Sequence, residues 1–168
     1  MRIYYEKIDE KLNTKAQHDA AYDLLRRVLY ECYELDNADI HKTPEGKPYI
    51  AGSTVKISLS HTSGLVCCAV AEGKEIGIDC ERIRSVSKHV PKRVCTEKEL
   101  SDILNSKNPD YRFLMYWTLK ESISKKRGVG LRESFLQYEI SWDDDRPLCK
   151  GYELQIKQVD DFFIAAAE

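Results

Sequence analysis

Residues 55–81, VKISLSHTSGLVCCAVAEGKEIGIDCE, contain the strongest indications of the fold. Residues 55–60 alternate apolar and polar side chains, which predicts a half-buried strand. Residues 65–71 are an unbroken apolar run and predict a buried strand. A turn at Gly73 then leads into a further strand predicted over residues 75–80. We expect these three short strands to form one antiparallel meander.

Helices and strands alternate through the rest of the chain in an order that repeats. A capping-box pattern at Thr96 and a proline at Pro109 each indicate a helix start, and Gly128 indicates a helix end. The order of strand, helix and three strands, followed by helices and three strands, predicts an α+β fold with two similar halves, residues 1–81 and 82–168. The predicted elements are strands over 2–8, 135–141, 150–157 and 161–167, and helices over 15–34, 96–105 and 109–127.

Composition and charge exclude several classes of protein. The chain has 168 residues, of which 42% are hydrophobic and 32% charged, as in a soluble globular domain. A net charge of −2 argues against a uniformly basic nucleic-acid binder. No apolar run approaches the roughly 20 residues of a membrane span. The six cysteines include no Cys-x-x-Cys pair, and the N-terminus has charges where a signal peptide has its apolar core, so we expect reduced thiols and a cytoplasmic protein.

Three carboxylates and a lysine stand out as candidates for chemistry. Asp79 and Glu81 are two residues apart in a predicted strand and therefore project from the same face. Glu121 and Lys125 are an i,i+4 pair on one helix face. If each pair is considered separately, Asp79 and Glu81 could be a solvated acidic edge, and Glu121 and Lys125 a surface salt bridge. Taken together, three carboxylates suit a Mg²⁺ ion that also binds a phosphate, and the lysine suits the anion.

Two further groups of residues carry weaker indications. Ser60 and His61 end the alternating strand, where they could donate hydrogen bonds to a phosphate, although a histidine there is also a common turn residue. Residues 82–93, called the docking segment below, contain no acidic residue and directly follow Glu81. They form either a solvated helix face or a docking surface for an acidic partner. The basic residues concerned are Arg82, Arg84, Lys88, Lys92 and Arg93.

The motifs of this chain, taken in their order along the sequence, closely resemble those of the Sfp-type 4′-phosphopantetheinyl transferases. The family pattern G-[IV]-D-x-E is matched at residues 77–81, W-[ST]-x-K-E-[SA]-x-x-K at 117–125 and G-x-G-L at 128–131. Upstream, residues 46–48 match G-K-P, and residues 58–61 match N-x-S-H with serine in place of asparagine. Each motif alone is weak or moderate, but the ordered series is specific.

The resemblance implies a fold and a reaction. The fold is α+β, with two similar α/β halves related by a pseudo-twofold axis, each a small antiparallel sheet with a long helix. The reaction transfers 4′-phosphopantetheine from coenzyme A (CoA) to a serine of an apo acyl, peptidyl or aryl carrier protein and releases 3′,5′-adenosine bisphosphate. CoA would lie between the halves, with its nucleotide end on residues 1–81 and its pyrophosphate on the metal and helix of residues 82–168. Because both halves are present in one chain, we expect a monomer.

The resemblance also implies roles for individual residues. Asp79, Glu81 and Glu121 would be the Mg²⁺ ligands, and Glu121 would also be the general base, directly or through water. Lys125 would bind the pyrophosphate and assist the leaving group. The family's CoA contacts near the first helix fall closest to Gln17 and His18, and the segment before that helix is shorter than in typical members. The residues expected to bind CoA are Gly46, Lys47, Pro48, Ser60, His61, Lys120 and Lys125, with a structural or phosphate-positioning role for Lys120.

Two alternatives to an active transferase are considered. One is a catalytically weak family member that binds CoA or a carrier protein without turnover. The other is a different metal-dependent enzyme of phosphate chemistry, such as a nuclease, that uses the same carboxylates. The ordered Gly-Lys-Pro, Ser-His and Trp-x-x-Lys-Glu motifs and the net charge argue against the nuclease.

Overall fold

The computed structural model describes residues 1–129 and 133–168, which fold into two layers of sheet covered by helices. Residues 135–137 form a 3₁₀ turn. The elements, in chain order, are β1 (Arg2–Lys7), α1 (Thr14–Tyr33), β2 (Ile40–Lys42), β3 (Pro48–Ile50), β4 (Val55–Thr62), β5 (Leu65–Glu72), β6 (Gly77–Arg82), α2 (Pro91–Val94), α3 (Glu97–Asn105), α4 (Pro109–Arg127), β7 (Ser141–Asp143), β8 (Arg146–Leu148), β9 (Leu154–Val159) and β10 (Phe162–Ala167).

The two main sheets have the same topology. The first has the strand order β1-β5-β4 and the second β6-β10-β9, and all pairs are antiparallel. In each sheet the last strand lies in the centre, between the first strand and the penultimate one. One long helix packs on each sheet, α1 on the first and α4 on the second. This repeated arrangement confirms the predicted α+β fold with two similar halves.

The side chains of the central strands alternate between two apolar cores. Cys67 and Ala69 of β5 pack with Ile164 of β10 in a core between the sheets. Their neighbours Cys68 and Val70 pack under α1 instead. Strands β4 and β6 approach each other at one edge of this sandwich, where the backbone N–H of Ile78 donates to the Ser58 hydroxyl at 3.0 Å. The order of layers is therefore helix, sheet, sheet, helix.

The predicted three-stranded meander is wrong in its last strand. Strand β6 leaves the first sheet and pairs with β10, with Asp79 opposite Ala165. The edge of β5 that β6 would have needed is hydrogen-bonded to β1. The assignment of the nucleotide end of CoA to residues 1–81 and of its pyrophosphate to residues 82–168 stays a prediction. By backbone hydrogen bonding, β6 belongs with the second half.

The helix ends agree closely with the prediction. Thr96 forms both hydrogen bonds of a capping box with Glu99, and Asn108 caps α4 by accepting from the backbone of Tyr111. Gly128 ends α4 in the left-handed conformation, with φ 72°. Capping residues act through the adjacent backbone, so their effect can be predicted from local sequence.

The strand predicted over residues 135–141 is wrong. Phe135 begins the 3₁₀ turn instead, and Ser134 caps this turn by accepting from the backbone N–H of Leu136. Such local side-chain bonds compete with strand pairing. Ser141–Asp143 does form a short strand, but in a hairpin with β8. The hairpin of β2 and β3 was not predicted.

All six cysteines, each within the described residues, are free thiols. In the described part of the chain, no helix combines the length and apolar character needed to cross a bilayer.

Candidate active site

A pocket of about 360 Å³ opens beside the edge where β4 and β6 meet. Helix α4 forms one wall, and α1 and the β2–β3 hairpin contribute to the others. The pocket brings together side chains from widely separated parts of the sequence. The predicted site residues that line it are Gly46, Pro48, Ser60, His61, Asp79, Glu81, Glu121 and Lys125.

Asp79 and Lys125 form an ion pair at the base of this pocket. The Lys125 Nζ lies 2.8 Å from Asp79 Oδ1 and 2.7 Å from the Ser60 hydroxyl oxygen. The Ser60 hydroxyl also donates to Asp79 Oδ1, at 2.8 Å. The other carboxylate oxygen, Asp79 Oδ2, is buried without a hydrogen-bond partner. The cluster therefore joins β4, β6 and α4, and leaves one anionic oxygen available for a further ligand.

The other two carboxylates are held at unusual pKa values. Burial, followed by the negative charge of Asp79, raises the pKa of Glu121 to about 7, although Lys125 opposes this. Burial and Asp79 also raise the pKa of Glu81, whose Oε1 accepts from the Trp117 indole N–H at 2.9 Å. The Asp79 charge thus acts on both glutamates, and all three carboxylates line the same pocket.

Lys125 stays a cation despite its surroundings. Burial lowers the pKa of Lys125, but the Asp79 carboxylate more than offsets this, and the net pKa lies above the usual lysine value. The pocket therefore contains a fixed positive charge next to an acidic cluster, an arrangement that suits a phosphate anion bound together with a cation.

The donor set fits a Mg²⁺ ion in its chemistry, although a closed metal cage is not formed. Within residues 1–129 and 133–168, no three His, Cys, Asp or Glu side chains are close enough to enclose a metal ion. The unpartnered Asp79 Oδ2 and the two nearby carboxylates are nevertheless hard oxygen donors of the kind that Mg²⁺ prefers. Mg²⁺ usually retains several waters and takes oxygens from a bound phosphate, so an incomplete protein shell is compatible with it.

Two of the residues expected to bind CoA do not face the pocket. The Lys120 side chain is fully buried and donates to Glu99, Val94 and Phe135, away from the carboxylate cluster. The structure does not support a direct CoA contact for this lysine.

Lys47 reaches in a different direction from its neighbours Gly46 and Pro48. Its ammonium group donates to Glu75 and to the backbone carbonyl of Lys126, near the end of α4. Its aliphatic stem packs against Gly128, where an added Cβ would lie 3.1 Å from Lys47 Cδ. Of the Gly-Lys-Pro motif, only Gly46 and Pro48 line the pocket, while the lysine links the hairpin to α4.

A cluster of basic and aromatic side chains, which α1, β2 and β4 contribute to the pocket wall, was largely missed by the sequence reasoning. Lys42 Nζ lies 3.3 Å from the Nε2 of His18 and 5.4 Å from the centre of the Tyr22 ring. The His18 and His61 rings lie edge to face, 6.2 Å apart. His18 and Tyr22 are four residues apart on α1 and so share a face, which was an available indication. Lys42 lies on an unpredicted strand and had none.

His61, which belongs to this cluster, favours its neutral form. Burial, followed by the positive charges of Lys125 and His18, lowers its pKa below the usual histidine value, with Asp79 opposing. Its Nδ1 lies 3.3 Å from the amide oxygen of Gln17.

Two of the basic residues in the docking segment are close to acidic partners. Arg82 makes a bidentate ion pair with Glu10 and a single hydrogen-bonded ion pair with Asp161. The Arg84 guanidinium nitrogen Nη2 lies 3.6 Å from Glu81 Oε2. The other three predicted docking residues are exposed; they are Lys88, Lys92 and Arg93. Of the G-x-G-L motif, Gly130 and Leu131 lie outside the described residues.

Comparison with known proteins identifies the family. Residues 75–165 match the family model described as the 4′-phosphopantetheinyl transferase superfamily. A 4′-phosphopantetheinyl transferase of Bacillus subtilis is 34% identical over 128 residues, which are 73% of this chain and 56% of the relative. The 4′-phosphopantetheinyl transferase Sfp of B. subtilis strain 168 is 35% identical over 114 residues, 64% of this chain and 50% of the relative. The chain thus spans about half the length of these curated relatives.

A solved structure supports the same fold. The holo-[acyl-carrier-protein] synthase of Thermotoga maritima superposes with a TM-score of 0.50 at 22% identity, covering 55% of this chain and 61% of that one. With the family match over more than half of the chain and the ordered motifs in one pocket, the chain belongs to the 4′-phosphopantetheinyl transferase superfamily, as its Sfp-type motifs predicted.

Proposed function

We propose that this protein transfers 4′-phosphopantetheine from CoA to a serine hydroxyl of an apo carrier protein, with release of 3′,5′-adenosine bisphosphate. The observation that carries the proposal is the convergence of Asp79, Glu81, Glu121 and Lys125 on one pocket beside the contact between the two sheets. Family membership and the printed names of the relatives support the same reaction.

The three carboxylates would hold a Mg²⁺ ion in this pocket. When bound, the ion would neutralise negative charge on the CoA pyrophosphate. Asp79 offers its unpartnered Oδ2, and Glu81 is oriented by the Trp117 indole. Glu121 faces the same pocket from α4.

The protein side chains would then position the reactants and move one proton. The carrier serine oxygen attacks the β-phosphorus of CoA, the phosphorus of the phosphopantetheine group, and the bond from this phosphorus to the bridging oxygen of the pyrophosphate breaks. The serine proton passes to Glu121, directly or through water. Lys125, held as a cation beside Asp79, would place its positive charge next to the departing bisphosphate. No covalent intermediate with the protein is needed, so positioning and charge neutralisation supply most of the rate enhancement.

The part of the pocket wall formed by His18, Tyr22, Lys42 and His61 is the proposed site for the nucleotide end of CoA. His61, together with the hairpin residues Gly46 and Pro48, would contact the adenosine. Ser60, whose hydroxyl is bonded to Asp79 and Lys125, would face the pyrophosphate instead. Lys42 supplies a cation and His18 a second imidazole for the 3′-phosphate. Lys47 and Lys120 are left out of this contact set because their ammonium groups are bound elsewhere.

The proposed partner is an acyl, peptidyl or aryl carrier protein with an acidic surface around its serine. Lys88, Lys92 and Arg93 are exposed and would bind such a surface. We further propose a monomer, because both sheets of the site come from one chain. Six free thiols are consistent with a reducing compartment such as the cytoplasm, and the net charge of −2 does not favour nucleic acid.

The test is incubation of the protein with CoA, Mg²⁺ and a panel of apo carriers, followed by mass spectrometry of each carrier. A mass gain equal to phosphopantetheine is expected, and Glu121→Gln should abolish it. Glu97→Gln, an exposed carboxylate on α3, is the matched control and should leave the gain intact.

Each other outcome of this experiment contradicts a stated part of the proposal. CoA binding without any mass gain on any carrier would favour the catalytically weak alternative. Release of 3′,5′-adenosine bisphosphate in the absence of a carrier would favour a hydrolase. An unchanged gain in Glu121→Gln would remove Glu121 as the general base.

A further inference from the structure

Lys120 and Glu99 form a fully buried ion pair on the side of α4 that faces away from the pocket. The Lys120 Nζ lies 2.6 Å from Glu99 Oε2, and neither side chain is exposed to solvent. The lysine also donates to the backbone carbonyls of Val94, at 2.9 Å, and Phe135, at 3.1 Å. These three bonds use all the donors of the ammonium group.

Both oxygens of the Glu99 carboxylate also accept hydrogen bonds from the backbone. Its Oε2 also accepts from the backbone N–H of Thr96 at 2.7 Å, and its Oε1 accepts from that of Ile140 at 2.8 Å. The pair therefore joins α4 to the end of α2, the start of α3 and the segment of residues 135–140. Since a buried charge is costly unless it is fully paired, these segments are held in the one arrangement that satisfies both charges.

The location of Val94 gives this ion pair a functional consequence. Val94 follows directly after Lys92 and Arg93, the last residues of the docking segment. The other end of that segment is fixed by the ion pairs of Arg82 with Glu10 and Asp161. The exposed basic residues thus lie between two anchored ends, and Lys120 provides the second anchor.

The face of α4 that lines the pocket has separate anchors. Trp117 donates to Glu81, and Lys125 pairs with Asp79. Loss of the Lys120 anchor should therefore loosen the docking segment and leave the carboxylate cluster in place.

We propose that Lys120 and Glu99 are a positioning pair that fixes the docking segment against α4, and that Lys120 acts on the carrier protein rather than on CoA. This inference rests on the proposed transferase function for its kinetic consequence, but its structural consequence can be measured independently.

The test uses the double variant Glu99→Gln/Lys120→Met, which removes both charges together and retains similar side-chain volume. A single substitution would leave one unpaired buried charge and could prevent folding. The control is Lys98→Met/Glu139→Gln, which removes an exposed ion pair. Lys98 lies next to Glu99 on α3, and the Lys98 and Glu139 side chains are 81% and 47% exposed.

Hydrogen exchange measured by mass spectrometry gives the structural result. In the double variant, we expect faster exchange over residues 83–96 and 135–140, with unchanged protection in β5 and β10. The control variant should match the wild type throughout. Unchanged exchange in both segments would overturn the proposal.

Steady-state kinetics give the functional result. We expect KM for the carrier to rise roughly ten- to hundredfold in the double variant, the scale of effect that misplaced contact groups produce, while KM for CoA stays within about twofold. A rise confined to KM for CoA would identify Lys120 as a CoA contact and overturn the proposal. An inactive wild type would overturn the transferase function instead, and the exchange experiment would still decide whether the pair positions these segments.

Discussion

Gly77 of β6 lies directly against the backbone of α4 at Ser122. A Cβ built on this glycine would come within 2.0 Å of the Ser122 carbonyl oxygen and 2.3 Å of the Lys126 backbone nitrogen. Because the obstacles are backbone atoms, no side-chain rearrangement could make room. The glycine is therefore required for close approach rather than for an unusual φ, and this approach brings Lys125 to Asp79, two residues further along β6.

Gly77→Ala should displace α4 from β6 and so separate Lys125 from Asp79. We expect the free energy of unfolding to fall by roughly 1–3 kcal/mol, as for other overpacked positions, and transferase activity to be lost. Chemical denaturation and the carrier mass assay measure the two effects.

Gly73→Ala is the matched control for this substitution. Gly73 has a φ of +71° with no atom within 4 Å of an added Cβ. This variant should lose about 1 kcal/mol through backbone strain alone and retain activity. Full activity in Gly77→Ala would show that the close contact is not needed to form the site.

Local sequence was sufficient to predict most element boundaries but not the pairing of β6. The capping residue Thr96 and the first-turn Pro109 act on the backbone next to them, so the helices could be located directly. The partner of β6 is β10, which lies eighty residues away in the sequence. The strand that pairs with the second edge of β5 is decided by the whole chain. The apolar pattern of β6 suits either sheet, so this pattern alone could not predict its partner.

Residue type alone pointed to the carboxylates and to Lys125 as candidates for the site. It did not tell in which direction each side chain points. Lys120 and Lys125 look alike in sequence, but at about 100° per residue they point roughly 140° apart on a helix, whereas Glu121 and Lys125 differ by only about 40°. Helix geometry could therefore have separated Lys120 from the site. Lys42 could not have been found, because its position depends on a hairpin that brings it to His18.

Mg²⁺ should stabilise the folded protein through Asp79. A divalent cation would relieve the repulsion among the three carboxylates, and binding at a hundredfold excess over Kd stabilises a fold by about 2.7 kcal/mol. We expect the Tm to rise with Mg²⁺ and to return to its starting value after chelation.

In Asp79→Asn the Mg²⁺-dependent increase in Tm should disappear, whatever the starting Tm of the variant. Glu97→Gln, which lies outside the pocket, should show the same increase as the wild type. Equal increases in Asp79→Asn and the wild type would exclude Asp79 as a ligand.

His61 should destabilise the fold at mildly acidic pH. Its pKa is lowered by burial and then by Lys125 and His18, so between the lowered value and the usual 6.5 the unfolded chain binds more protons than the folded one. Stability contributed by the neutral ring is therefore present above pH 6.5 and lost as the pH falls toward the folded pKa. Glu121, whose pKa is raised to about 7, gives the opposite pH dependence over this range. The contribution of His61 is therefore measured as the difference in urea unfolding between the wild type and His61→Gln from about pH 5.5 to 7.5, and this difference should grow as the pH falls.

Binding of CoA should raise the pKa of His61 again. A 3′-phosphate beside the ring would favour the imidazolium form, which would then donate to the phosphate. An NMR titration of the ring with and without CoA measures both states. A His61 that titrates at or above 6.5 without CoA, or that does not respond to CoA, would contradict its proposed place at the nucleotide end.

Reversal of charge at Lys88, Lys92 and Arg93 should separate carrier binding from CoA binding. In the triple Glu variant, KM for an acidic carrier should rise at least about tenfold, since unlike charges across the interface become like charges. KM for CoA should stay unchanged, because none of the three residues lines the pocket. The dependence of the carrier KM on salt should weaken or reverse in the variant, which distinguishes lost attraction from misfolding. Unchanged carrier kinetics across the salt range would show that the carrier docks elsewhere.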